Sequence, residues 1–169
     1  MFMDFGGDIM LKDNVLKSLN LQVNREFYSS YAYYSMALYF KDKGLKGLEK
    51  LMKKQAQEEI EHASGVIDYI YNRNSQVSLE SVEAPHFSFS NAFEVFETAL
   101  EHEKNITKSL SLALETAETE KDYMTTSFIQ SYIDEQVEEE SFFSSFIKKC
   151  ALIKEDQLSL IVFDNMLTE

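Results

Sequence analysis

Gln55-Ala56-Gln57-Glu58-Glu59-Ile60-Glu61-His62 decides how the rest of this 169-residue chain is read. It lies inside a segment, about 45 to 72, where Leu48, Leu51, Gln55, Glu59, His62, Val66 and Tyr69 recur at spacings of three and four. That spacing marks one face of an α-helix. The face is apolar at both ends and polar at three central positions. A buried carboxylate without a partner is costly, so the interruption needs a chemical reason.

Three further segments carry the same interruption. From about 12 to 40 the stripe is Leu16, Leu19, Val23, Glu26, Ser30, Tyr33, Ala37 and Phe40. From Ser90, read as an N-cap, to about 119 it is Phe93, Phe96, Leu100, Glu103, Leu110, Leu114 and Ala117. From about 123 to 152 it is Ile129, Tyr132, Gln136, Glu139, Phe143, Phe146 and Cys150. Lys53, Lys54, Lys104 and Lys108 fall off these faces, so no chain cation stands level with the acids. A shared metal cation neutralises them most simply, and Glu59-x-x-His62 sets two ligands on adjacent turns of one face. Carboxylates with one imidazole suit a divalent first-row metal such as Fe(II) better than the thiolate or multi-histidine sets of structural zinc.

The connections order the helices. Lys41 to Gly44 and Glu120 to Asp122 are short, whereas 74 to 90 contains Pro85, several serines and no clean period. Two hairpins and one long crossover predict an all-α fold: a four-helix bundle with a long connection between its second and third helices. A short fifth helix, about 155 to 166, is too apolar to stand free and should dock. About Gly44, Glu26 lies 18 residues before and His62 18 after; about Glu120, Glu103 lies 17 before and Glu139 19 after. Each pair is therefore level across its hairpin, since two residues shift height by only ~3 Å. Whether the two pairs coincide depends on the crossover, which sequence does not fix.

Composition agrees with an all-α class. Five glycines and one proline are too few for the tight turns of an all-β fold. A net charge of −13 and a pI near 4.6 repel nucleic acid and anionic membrane while attracting metal cations. Cys150 is the only cysteine, which excludes an intrachain disulfide and a Cys-x-x-Cys site and fits a reducing cytoplasm. Residues 1–9 lack the basic start and apolar run of a secretory signal and read as an extension, with Met10 an alternative start. Residues 10–169 read as a single domain, and no stretch approaches the ~18 apolar residues of a membrane helix.

Four motifs resemble those of the bacterial non-haem ferritins: Glu26 to Tyr33 (Glu-Phe-Tyr-Ser-Ser-Tyr-Ala-Tyr), Gln55 to His62, His102-Glu103, and Glu135-Gln136-Val137-Glu138-Glu139-Glu140. The likeness runs from about Met10 to the C-terminus, with the motifs in order and at the family's spacing. It implies a ferritin-like fold holding a diiron ferroxidase centre, with Glu26, Glu59 and His62 on one iron and Glu59, Glu103 and Glu139 on the second. Glu59 bridges and Gln136 lies beside the second iron. It implies a third iron site at Glu58, Glu135 and Glu138 with Glu139 shared, although those acids read equally as a solvated face. Tyr33 matches a tyrosine that hydrogen-bonds a ligand or supplies an electron; periodicity alone reads it equally as a core aromatic.

Departures narrow the resemblance. Ile60 stands where bacterioferritins carry the methionine that ligates haem, so no haem is expected. Gln136-x-x-Glu139 replaces the second Glu-x-x-His of those proteins and of rubrerythrins, so the two iron sites should be unequal. The paired Cys-x-x-Cys motifs of rubrerythrins and the basic tails of DNA-protecting mini-ferritins are missing. His86 and His102 read as ordinary surface or interface residues. The implied activity is oxidation of Fe(II) by dioxygen or peroxide, with ferric mineral stored in a hollow homo-oligomer of 24 subunits whose four-fold axes the fifth helix lines. A diiron oxidase or peroxide scavenger with a minor storage role is the alternative.

Overall fold

The computed structural model describes residues 10–153 and 157–167. The expected extension at 1–9 lies outside them. Five helices carry the described chain: α1 (Asp13–Asp42), α2 (Lys46–Asn72), α3 (Ala92–Thr119), α4 (Tyr123–Ile153) and α5 (Gln157–Met166). At 30 residues, α1 is about 45 Å long, which sets the height of the bundle. The start expected for the fifth helix, at about 155, lies outside the described residues; the other helix boundaries fall within two residues of the expected ones, with one displaced cap. Asn91, not Ser90, caps α3: its side chain accepts the Glu94 N–H at 2.9 Å, and the Glu94 carboxylate accepts the Ser90 N–H at 2.6 Å.

Three helix ends share one closing device. After α1, Gly44 N–H donates to Lys41 O and Leu45 N–H to Phe40 O, both at 3.0 Å, with Gly44 at φ +73°. This pair of bonds satisfies the last carbonyls and requires a left-handed residue between them. Asn74 after α2 and Lys121 after α3 take the same position, at φ 49° and 57°. The chain reverses at the first and third ends and enters the crossover at the second.

Residues 73–91 run back along α1, as expected for a connection spanning the molecule. Ser78 N–H donates to Asn20 Oδ1 at 2.9 Å, Asn24 brackets Glu80 and Ser81, and Ser35 Oγ donates to the His86 carbonyl at 2.7 Å. The crossover thereby makes α2 and α3 parallel, and α1 meets α3 antiparallel through Gln22–Ser109 and Ser29–His102. The fifth helix docks, as its apolar character requires. Asp164 Oδ1 accepts the Leu48 N–H at 2.7 Å at the start of α2, and Phe163 packs edge-on to Phe146 with centroids 5.4 Å apart. Gly47 allows that approach, because a Cβ there would collide with the Asp164 carbonyl.

Burial of apolar side chains supplies most of the folding free energy. Here the core falls into two clusters. One contains Met36, Phe40, Leu48, Met52, Phe96, Phe143 and Phe146; the other contains Leu11, Val15, Leu19, Val66, Ile70, Ile106, Leu110 and Ile129. Between them all four long helices contribute a polar belt, at the level of the interrupted stripes. Among the described residues no helix is long and apolar enough to cross a membrane.

Candidate metal centre

Glu26 on α1 and Glu59 and His62 on α2 each offer an atom to one point, all within 4.8 Å of one another. Glu26 and Glu59 are 1% and 4% exposed, and His62 is half-buried. His62 turns Nδ1 toward Glu59 Oε2 at 3.3 Å and Nε2 toward Glu135 Oε2 at 3.4 Å. Glu26 Oε1 accepts the Gln22 amide at 2.6 Å, while Glu26 Oε2, fully buried, has no hydrogen-bond donor. An orphaned buried oxygen of this kind calls for an ion or a proton.

The crossover brings the second pair to the same level. Glu103 on α3 accepts the Tyr33 hydroxyl on Oε1 and the Gln136 amide on Oε2, the latter at 2.9 Å. Glu139 on α4 accepts the Gln55 amide at 3.0 Å. Both carboxylates act electrostatically on Glu59. They lie outside the tight Glu26–Glu59–His62 group. Gln136 therefore directs its amide nitrogen at Glu103, leaving its oxygen as the atom that a metal could take.

Charges in this belt oppose one another. Burial, then the Glu59 charge, raises the Glu26 carboxyl well above its ordinary value; burial, then Glu103, does the same to Glu59. Burial also raises Glu103, against the hydrogen bonds from Tyr33 and Gln136. Glu139 is pushed up to about 7, first by burial and then by Glu103 and Glu58. Among the described residues no lysine or arginine salt bridge reaches any of these four. A divalent cation stabilises four ionised carboxylates where protonation otherwise removes their charge. The donor set, oxygens with one imidazole, fits iron in that role.

The candidate third-site acids are more dispersed. Glu58 is held by Lys54 at 2.8 Å, Glu135 stands beside His62, and Glu138 is exposed. Tyr33 is wholly buried, stacked on Phe143 at 5.7 Å, and burial followed by the Glu103 charge raises its phenol above the ordinary range. His102, expected at a surface or an interface, is half-buried where α3 meets α1. Its Nε2 lies 2.7 Å from Ser29 Oγ, its ring packs edge-on to Tyr33, and burial lowers it to about 4. A residue beside Glu103 is rotated about 100° around the helix, which turns it toward α1 and not outward. His86 is exposed, as expected, with its ring edge-on to Phe89.

Several polar residues of the belt escape a motif reading. Gln22 and Ser109 behind Glu26, and Thr107 donating to Glu140 at 2.6 Å, carry no motif. Gln55 does stand in the α2 stripe, where its polarity is the signal.

Residues 16–153 match the family of ferritin-like domains. The chain is 38% identical to a bacterial non-heme ferritin of Campylobacter jejuni, over 92% of this chain and 93% of that protein. It is 35% identical to the bacterial non-heme ferritin of Staphylococcus aureus, over 94% and 95% of the two. The fold superimposes with a TM-score of 0.91 on an open pore ferritin from Archaeoglobus fulgidus, 40% identical and covering 93% of this chain and 96% of that one. Five helices, a belt of carboxylates at mid-height and likeness over nearly the whole length agree: the chain belongs to the ferritin-like family, among relatives named bacterial non-heme ferritins.

Proposed function

We propose that this chain is a ferritin subunit that oxidises Fe(II) at a two-iron centre and stores the ferric product inside a hollow homo-oligomer. The observation that carries the reading is Glu26 Oε2, a buried oxygen without a donor, on a residue that converges with Glu59 and His62 in a belt whose four carboxylates no lysine or arginine among the described residues pairs. Glu26, Glu59 and His62 take the first iron; Glu59, Glu103 and Glu139 take the second, with Glu59 between the two and the Gln136 oxygen beside the second. Two Fe(II) each give one electron to dioxygen, which takes up two protons and leaves as hydrogen peroxide. Peroxide serves as oxidant in the same way, becoming water. Tyr33, hydrogen-bonded to Glu103, is placed to supply a further electron. Glu58, Glu135 and Glu138, with Glu139 shared, receive a third iron on its way to the mineral.

Assembly is supported by apolar side chains that a lone subunit leaves in water. Tyr31, Tyr34 and Leu38 on α1 are each about half exposed, the crossover exposes Leu79, Val82 and Phe87, and α5 exposes Leu158, Val162 and Met166. Where exposed apolar side chains join into a patch, they mark contacts between chains. In a closed shell of 24 subunits the particle is about 470 kDa, built from chains of 19.6 kDa.

Size-exclusion chromatography followed by aerobic Fe(II) titration with optical detection tests the reading. We expect a shell that oxidises about two Fe(II) per subunit quickly and then fills beyond that. Rapid oxidation without filling would assign the chain to diiron oxidation or peroxide scavenging with little storage. A small species that binds no iron would overturn the proposal.

A further inference from the structure

Gln22 and Ser109 are 1% and 5% exposed, and neither belongs to the group of acids and histidine that converges at Glu26, Glu59 and His62. They stand behind Glu26, where α1 meets α3. Ser109 Oγ donates to Gln22 Oε1 at 2.6 Å, and Gln22 Nε2 donates to Glu26 Oε1 at 2.6 Å. With Glu26 ionised, as a metal ligand is, the direction is fixed by chemistry, because an ionised carboxylate only accepts and an amide oxygen only accepts. Reversing the Gln22 amide would set oxygen against oxygen at an ionised Glu26 and turn Ser109 from donor to acceptor toward Gln22.

A glutamine so deeply buried is costly unless its hydrogen bonds are made, and a methionine of the same length would fill the space without that cost. Its value lies in what it does to Glu26. One carboxylate oxygen accepts the Gln22 amide; the other, Oε2, has no donor and is left for an ion. Carboxylates otherwise bind metals through either one oxygen or two. We propose that Gln22, oriented by Ser109, is a positioning residue that restricts Glu26 to a one-oxygen ligand and so keeps a coordination position open for the oxidant. This rests on the ferroxidase-centre reading above. Outer hydrogen bonds that orient ligands typically change metal affinity or activity by about 10- to 100-fold when removed.

Cobalt(II) is the probe, since it needs no oxidant and its visible absorption falls as coordination number rises. Metal-free wild-type protein, Gln22→Met, Ser109→Ala and the double variant are titrated with Co(II) and their spectra and isotherms compared. Gln22→Met should keep the oligomer and its thermal midpoint, weaken the tighter Co(II) site about 10-fold or more, and lower absorption per bound ion. Ser109→Ala should move both readouts the same way by less. The double variant should be no worse than Gln22→Met, because Ser109 acts only through Gln22.

A wild-type isotherm and spectrum in Gln22→Met would overturn the inference while leaving the two-iron centre standing. Additive effects in the double variant would overturn the relay. Wild-type protein that binds no Co(II) would overturn the centre itself and the inference with it. Should Gln22→Met fail to fold, an unchanged Ser109→Ala spectrum still overturns the relay.

Discussion

Two polar sites interrupt the apolar interior of this bundle, and they solve the same problem in opposite ways. At the lower end Arg73, where α2 stops, forms a bidentate pair with Asp122, where α4 starts, at 3.0 and 2.9 Å. Both side chains are less than a tenth exposed, and the Tyr69 and Thr125 hydroxyls also accept from Arg73 Nη1. Burial raises the Asp122 carboxyl, yet the Arg73 and Thr125 hydrogen bonds outweigh it and hold it below the ordinary range. At mid-height Glu26, Glu59 and Glu103 are buried and Glu139 half-buried, no lysine or arginine among the described residues pairs them, and all four are raised. One site is complete as folded. The other is finished only by an ion or by protons, which is what separates a structural clamp from a binding site.

Substitutions should therefore have opposite consequences at the two sites. Glu59→Gln should slow the fast phase of Fe(II) oxidation by at least about 100-fold, beyond the effect of losing an outer hydrogen bond. It should also raise the thermal midpoint of the metal-free protein at neutral pH, because it deletes a charge that nothing pairs. A fall in that midpoint would mean the belt is already neutralised. Arg73→Met leaves Asp122 buried without its partner and should cost about 3 kcal/mol, the low end for a broken buried pair because the site lies at the bundle end. Scanning calorimetry of the purified protein checks this, with the oxidation rate expected to stay at the wild-type value.

The pH dependence separates the sites again. Glu139 has a folded value of about 7 against an ordinary 4.5, so the folded metal-free protein holds its proton after the unfolded chain has lost it. Its contribution is favourable below pH ~4.5 and is lost as pH rises toward 7. Asp122 runs the other way: its value is lowered from 3.8, so its contribution is present above that and lost as pH falls through its folded value. Metal-free protein should thus be more stable at pH 5 than at pH 7.5, and a divalent ion should cancel the difference. Equal midpoints at the two pH values would contradict the raised belt. The smallest effect concerns the turn that carries Asp122. Lys121 sits at φ 57°, where a side chain costs about 1 kcal/mol, so Lys121→Gly should stabilise by about that amount without touching either site.

Much of this contrast is legible in the sequence, and the reasons are specific. Spacings of three and four, unbroken by proline, mark four helices and place a carboxylate on each buried stripe. Gly44 signals its own turn. Asn74 and Lys121 do not, because most residues with those side chains are right-handed or extended. The coincidence of Glu26–His62 with Glu103–Glu139 is hidden because it depends on how far the crossover travels. That distance is set by single bonds from Asn20, Asn24 and Ser35 to its backbone. Gln22 escapes notice because it stands one position from Val23 on the stripe, and its partner Ser109 is 87 residues away. Arg73 and Asp122 look like polar loop residues in sequence; only the packed ends of α2 and α4 make them a buried pair.

The central claim is that the mid-height belt is built for metal ions. Crystals of the metal-free protein soaked anaerobically in Fe(II) and measured for iron anomalous scattering test it directly. Two peaks per subunit are predicted, one between Glu26, Glu59 and His62 and one between Glu59, Glu103 and Glu139. Iron bound only to surface acids, with no peak in the belt, would contradict it.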